Sequence, residues 1–70
     1  MNATDQGKLV RAGFTIIRAE GLLDEGKYLR IKYKGSGSHE WKTLEKGFFS
    51  KASLKRRIQQ LLKDEKTIED

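Results

Sequence analysis

Between Tyr28 and Lys34 the chain alternates without interruption, setting Leu29, Ile31 and Tyr33 against Arg30, Lys32 and Lys34. A period of two residues is the signature of a strand with one buried and one polar face. A second pattern follows Ser50, where Leu54, Ile58, Leu61 and Leu62 recur at i, i+4, i+7 and i+8, the spacing of an amphipathic helix. Ser50 suits the N-cap of that helix, with Phe49 and Leu54 placed as a hydrophobic staple. Arg56, Gln60 and Lys63 fall on its opposite side.

Two further strands are expected around these elements. Phe14 to Ala19 is rich in β-formers, with Gly13 as a start or bulge and Gly21 as a stop. Trp41 to Lys46 resumes a strand after the turn Gly35-Ser36-Gly37-Ser38, so the second and third strands form an antiparallel hairpin. The loop length sets Lys34 opposite Trp41, Lys32 opposite Thr43 and Arg30 opposite Glu45, with Leu44 beside Leu29, Ile31 and Tyr33. A slip of one residue would turn every side chain of the third strand over. In the first connection, Leu22 and Leu23 are unusual for an exposed loop and are candidates to fold back over the core.

The expected fold class is therefore α+β, a three-stranded antiparallel sheet with one C-terminal amphipathic helix packed on one face, in the order β-β-β-α. Residues 1–8, polar and aperiodic, read as a flexible arm, and residues 9–63 as one small domain. Acidic charge at a helix C-terminus opposes the macrodipole, so residues 64–70 read as a frayed tail.

Seventy residues allow one thin core, and with no cysteine its stability must come from packing. Freedom from cysteine favours a reducing, cytoplasmic setting. Neither a signal peptide nor a membrane span is read from the sequence. The net charge of +5 is unevenly distributed. Residues 26–63 hold eleven Lys or Arg against only Glu40 and Glu45, whereas both ends are slightly acidic. A concentration of positive charge of this kind attracts polyanions.

Candidate chemistry narrows quickly. His39, the single histidine, reads as an ordinary turn residue, and a metal site would lack further ligands. Ser36, Ser38 and Ser50 have no base in a fixed scaffold, and Gly35-x-Gly37 lacks the strand-to-helix context of a nucleotide-binding loop. The expectation is a binding protein without cofactor or metal, rather than an enzyme. Its surface is the strand face away from the helix, where Arg30, Lys32 and Lys34 stand beside Trp41 and Thr43. Two roles are open to Trp41: an internal contact, as a cation–π pair with Lys34 or by packing on the first strand, or contact with a partner. Lys51, Lys55, Arg56, Arg57 and Lys63 add positive charge on the helix.

A basic strand, a Gly-rich turn, a third strand and then Gly47-Phe48-Phe49-Ser50-Lys51-Ala52-Ser53-Leu54 opening a helix resembles the N-terminal arm-binding domain of phage and transposon tyrosine integrases. The resemblance spans Phe14 to Leu62. It departs from that family in a longer first connection, in the absence of Glu at the second helix turn, and in having no catalytic domain after it. The resemblance implies a three-stranded sheet laid into a DNA major groove and braced by the helix, as in the plant AP2 domain, and a role in mobile-element recombination or its regulation. Its groove-facing candidates are Arg30, Lys32, Lys34, Trp41 and Thr43. Duplex DNA is thus the expected partner. An acidic protein is the alternative, and RNA a third reading weakened by the single aromatic expected on the face.

Overall fold

The computed structural model describes residues 2–21, 29–35, 37–38 and 40–70. The readings of Leu22, Leu23, Tyr28, Ser36 and His39 fall outside the described residues. The elements run α1 (Ala3–Arg11), β1 (Thr15–Glu20), β2 (Leu29–Lys34), β3 (Lys42–Phe48), α2 (Lys51–Leu61) and β4 (Thr67–Glu69). The strands form one mixed sheet in the order β3-β2-β1-β4, antiparallel except for the β1–β4 pair. The β-β-β-α expectation is therefore corrected: the fold has an N-terminal helix and a fourth, parallel strand.

Helix α1 occupies most of the segment read as a loose arm, and its ends explain why it forms. The Asn2 side chain accepts from the Asp5 N–H at 2.8 Å, capping the first turn. Asp5 lies in that turn, with Lys8 and Arg11 in the last, so all three charges suit the helix dipole. At the other end Gly13 adopts φ +94°, while its N–H donates to the Val10 carbonyl and that of Phe14 to the Leu9 carbonyl. This pair of bonds is a Schellman cap, which favours glycine at the left-handed position. Gly13 therefore ends a helix rather than starting a strand.

The segment read as a frayed tail turns back after α2 and pairs with β1. Asp64 accepts from the Lys66 N–H through its side chain, at 2.9 Å, and from the Thr67 N–H through its carbonyl. Thr15 N–H then donates to the Lys66 carbonyl at 2.7 Å and Asp70 N–H to the Ile17 carbonyl at 2.8 Å. β-branched Thr67 and Ile68 favour the strand, and Lys66 Nζ lies 4.7 Å from the centre of the Phe14 ring.

The core has two unequal parts, one on each face of the sheet. On one face, Ile17, Leu29 and Ile31 pack with Leu54 and Ile58 of α2, joined by the partly buried Tyr33, Phe48, Leu61 and Leu62. The helical stripe and the β2 alternation meet as expected, and the Ser50 side chain caps α2 by accepting from the Ser53 N–H. Phe49, by contrast, is 75% exposed. The opposite face of β1 carries Ile16, fully buried, and α1 packs on that strand through Val10 and Gln6.

Two irregularities set the register of the hairpin. Lys32 pairs with Thr43 as expected, but Ile31 pairs with Glu45, so Leu44 is the extra residue of a bulge. Leu44 is consequently 41% exposed instead of lying on the core. Glu45 turns to the α2 side, where Arg57 Nε reaches it at 2.7 Å. Lys46, not Glu45, then stands opposite Arg30, and a second shift at Gly47, φ +89°, sets Phe48 against Leu29.

The Schellman cap predicts a substitution order. Gly13→Ala places a β-carbon in the left-handed region and should lower stability by about 1–2 kcal/mol. Gly13→Asn should cost less, since asparagine tolerates that region. Chemical denaturation of the three proteins measures this, and equal stability would show that α1 does not depend on the cap.

Candidate nucleic-acid interface

The sheet face turned away from α2 gathers cations from three strands. Alternation of β1 about buried Ile17 puts Arg18 and Glu20 on this side, and pairing sets Arg18 beside Lys32 and Glu20 beside Arg30. Across β2, Thr43 lies beside Lys32 and Lys46 beside Arg30. Arg30, Thr43 and Lys46 are exposed, and Lys32 and Trp41 half-buried. Lys32 Nζ donates to Thr43 Oγ1 at 2.9 Å.

Lys34 departs from the sequence reading. It is only 8% exposed, because α1 brings Gln6 over it, and its Nζ donates to Gln6 Oε1 at 2.9 Å. The Gln6 amide in turn donates to Asp70 Oδ1 at 2.9 Å, so one side-chain chain links β2, α1 and the C-terminal segment. A buried ammonium needs such partners, since leaving it unpaired away from water is costly. Lys34 thus serves the fold and is withdrawn from the open surface.

Trp41 makes internal cation contacts. Arg18 Cζ lies 4.2 Å and Lys34 Nζ 4.8 Å from the centre of its ring. Arg18 was missed by the sequence reading, although the sequence Ile16-Ile17-Arg18-Ala19-Glu20 carries the signal. Once Ile17 faces α2, Arg18 and Glu20 must point to the other side. Lys46 was missed because a bulge, which no period reveals, brings it opposite Arg30.

Among the described residues, Glu20 is the carboxylate that lies with these cations. Its Oε1 accepts from Arg30 Nη2 at 2.9 Å and Nε at 3.3 Å, and its Oε2 from Arg18 Nη2 at 3.4 Å. The Arg30 hydrogen bonds, with the charges of Arg30, Lys32 and Arg18, hold its carboxyl below the ordinary value of 4.5 against an opposing effect of burial. Arg18 Nε is buried with no hydrogen-bond partner among the described residues.

The cations of α2 belong to a different surface. Lys51, Lys55 and Arg56 are exposed, and Arg57 is tied to Glu45 and Gln60. Lys51 and Lys55 border an open groove of about 500 Å³ floored by Leu29, Leu54 and Ile58. The sheet separates this surface from the strand cations. Among the described residues, no helix is long and apolar enough to cross a membrane.

Two measurements follow from this geometry. A depressed carboxyl favours the folded state above its unfolded pKa and loses that contribution as pH falls through the folded value. The melting temperature of the parent should therefore exceed that of Glu20→Gln at neutral pH, with the gap closing in acid below the ordinary 4.5. A gap independent of pH would show that the ion pairs contribute nothing. Separately, Trp41→Ala removes two cation contacts and should cost about 1–2 kcal/mol in denaturant unfolding. No loss would place the indole outside the Arg18 and Lys34 cluster.

Comparison of the chain with known protein families, with curated proteins and with solved structures finds no match.

Proposed function

We propose that this chain binds duplex nucleic acid, DNA in the first place, through the sheet face opposite α2. The observation that carries this reading is the convergence of Arg18, Arg30, Lys32 and Lys46 from three strands on a surface that, among the described residues, α1 covers only at one end. Neutralising phosphates releases condensed counterions, so such a surface supplies affinity without reading bases. Thr43, exposed beside Lys32, adds a polar contact.

The state of Trp41 favours a duplex over single-stranded RNA. Single-strand binding leans on aromatic rings free to stack with bases. Here Arg18 and Lys34 already lie over the one indole, while Tyr33 and Phe48 pack toward α2. Trp41 therefore acts by holding Arg18 in place, and any contact of its own is to the sugar-phosphate edge. The likeness to integrase arm domains belongs to the same proposal, with a role in mobile-element recombination or its regulation and a cytoplasmic setting.

Fluorescence polarisation with a labelled random-sequence duplex tests the reading. Affinity should fall steeply between roughly 50 and 200 mM salt, with about 0.9 units of log–log slope for each phosphate neutralised. Changing Arg30, Lys32 and Lys46 together to Gln should weaken binding at least about tenfold and flatten the slope by up to about three units. Lys34 is left intact in this variant because it is buried in the fold. Changing Lys51, Lys55 and Arg56 to Gln should have little effect, and an equal loss there would move the site to α2. If an acidic polypeptide or heparin competes for this face as well as duplex DNA does, the partner is an acidic protein instead.

A further inference from the structure

Resting on that reading, we propose that Arg18 and Arg30 form a phosphate site whose occupant in the free protein is the Glu20 carboxylate, which a nucleic-acid phosphate displaces. The carboxylate is held as a bridging oxyanion would be. One oxygen takes Arg30 through Nη2 at 2.9 Å and Nε at 3.3 Å, and the other takes Arg18 through Nη2 at 3.4 Å. Guanidinium groups pair with carboxylate and phosphate through the same planar donor edges, so a phosphate finds the donors already aimed.

Arg18 does not depend on Glu20 alone for its place, since it lies over the Trp41 ring at 4.2 Å. Arg30 projects from the second position of β2, between Glu20 and Lys46 on the neighbouring strands. Glu20 is the last residue of β1, before Gly21 at φ +119°, and its side chain is 35% exposed. An ion pair in contact with water contributes little to stability, so losing it on binding costs the fold little. Its effect on binding is larger. A phosphate must compete with a tethered carboxylate whose proton affinity is already lowered, so near neutral pH it leaves by displacement and not by protonation. The consequence is a threshold: a single small anion displaces Glu20 poorly, whereas a duplex that engages Lys32 and Lys46 at the same time supplies the competing phosphate at high local concentration.

Glu20→Gln keeps the shape of the side chain and removes its charge. Glu69→Gln removes an equal charge from β4 on the α2 side of the sheet and serves as the control. With the same labelled duplex at low salt, Glu20→Gln should tighten binding on the order of tenfold and steepen the salt slope by about one unit, and Glu69→Gln should change affinity by less than about twofold. The gain from Glu20→Gln should shrink when Arg18→Gln is also present. Equal tightening by both single variants would reduce Glu20 to a general charge effect and overturn the inference. Weaker binding by Glu20→Gln would overturn it too, by showing that the carboxylate aims the arginines in the complex. If duplex binding of the parent is salt-dependent and lost on changing Arg30, Lys32 and Lys46, while Glu20→Gln matches Glu69→Gln, the proposed function stands and only this inference falls. If neither the parent nor Glu20→Gln binds duplex, both fall together.

Discussion

Ile16 and Ile17 are adjacent in β1 and both are fully buried. Successive side chains of a strand point to opposite faces, so a strand with this pair needs cover on both. In a chain of 70 residues that demand is hard to meet. Helix α2 meets it on one side with Leu54 and Ile58, over a patch that extends to Leu29 and Ile31. On the other side, among the described residues, only α1 is available, and its nine residues bury just Gln6 and Val10. The described residues therefore cover the outer face at one end, and the cations stand beyond that cover.

The join between the covered and open parts is polar. Lys34 lies at the end of β2 beside Ile16, where its ammonium meets Gln6 from α1 and the ring of Trp41 before β3. Gln6 passes the interaction on to Asp70, next to β4. Three segments far apart in sequence are thus fastened through one amide. Isolated helices as short as α1 are marginal in water, so this tertiary link and the burial of Val10 account for its order. The same link settles which cations remain outside. Lys34 is spent inside the fold, and Arg18, Arg30, Lys32 and Lys46 define the open surface.

On that surface the charges are already arranged with respect to one another. Trp41 carries Arg18, Thr43 carries Lys32, and Glu20 lies between two guanidinium groups. Side chains with fixed neighbours lose less freedom when a partner arrives, which favours binding by a surface of modest size. They also leave the indole little room for stacking. In the proposed complex, a face of this kind would meet the regular backbone of a duplex.

The elements that depend on local pattern were legible in the sequence. The alternation of β2 and the stripe of α2 follow from the fixed periods of strand and helix, and the Ser50 cap from one hydroxyl near free amides. The pairing of Lys32 with Thr43 follows from loop length. Helix α1 was not read from the sequence: its adjacent apolar residues Leu9 and Val10 are confined to the last turn, so no stripe at helical spacing runs along it. What only the tertiary structure decided is where long-range contacts outweigh local preference. Residues 64–70 have little reason to be ordered until β1 offers them an edge to pair with. Lys34 reads as exposed by alternation until Gln6, 28 residues earlier, arrives to cover it. The bulge at Leu44 moves Lys46 opposite Arg30 and hands Glu45 to Arg57, because one unpaired residue reverses the side chains that follow it until the second shift at Gly47. Periodicity determines which residues share a face within an element. Which faces are then covered, and by what, depends on contacts between segments that no local pattern contains.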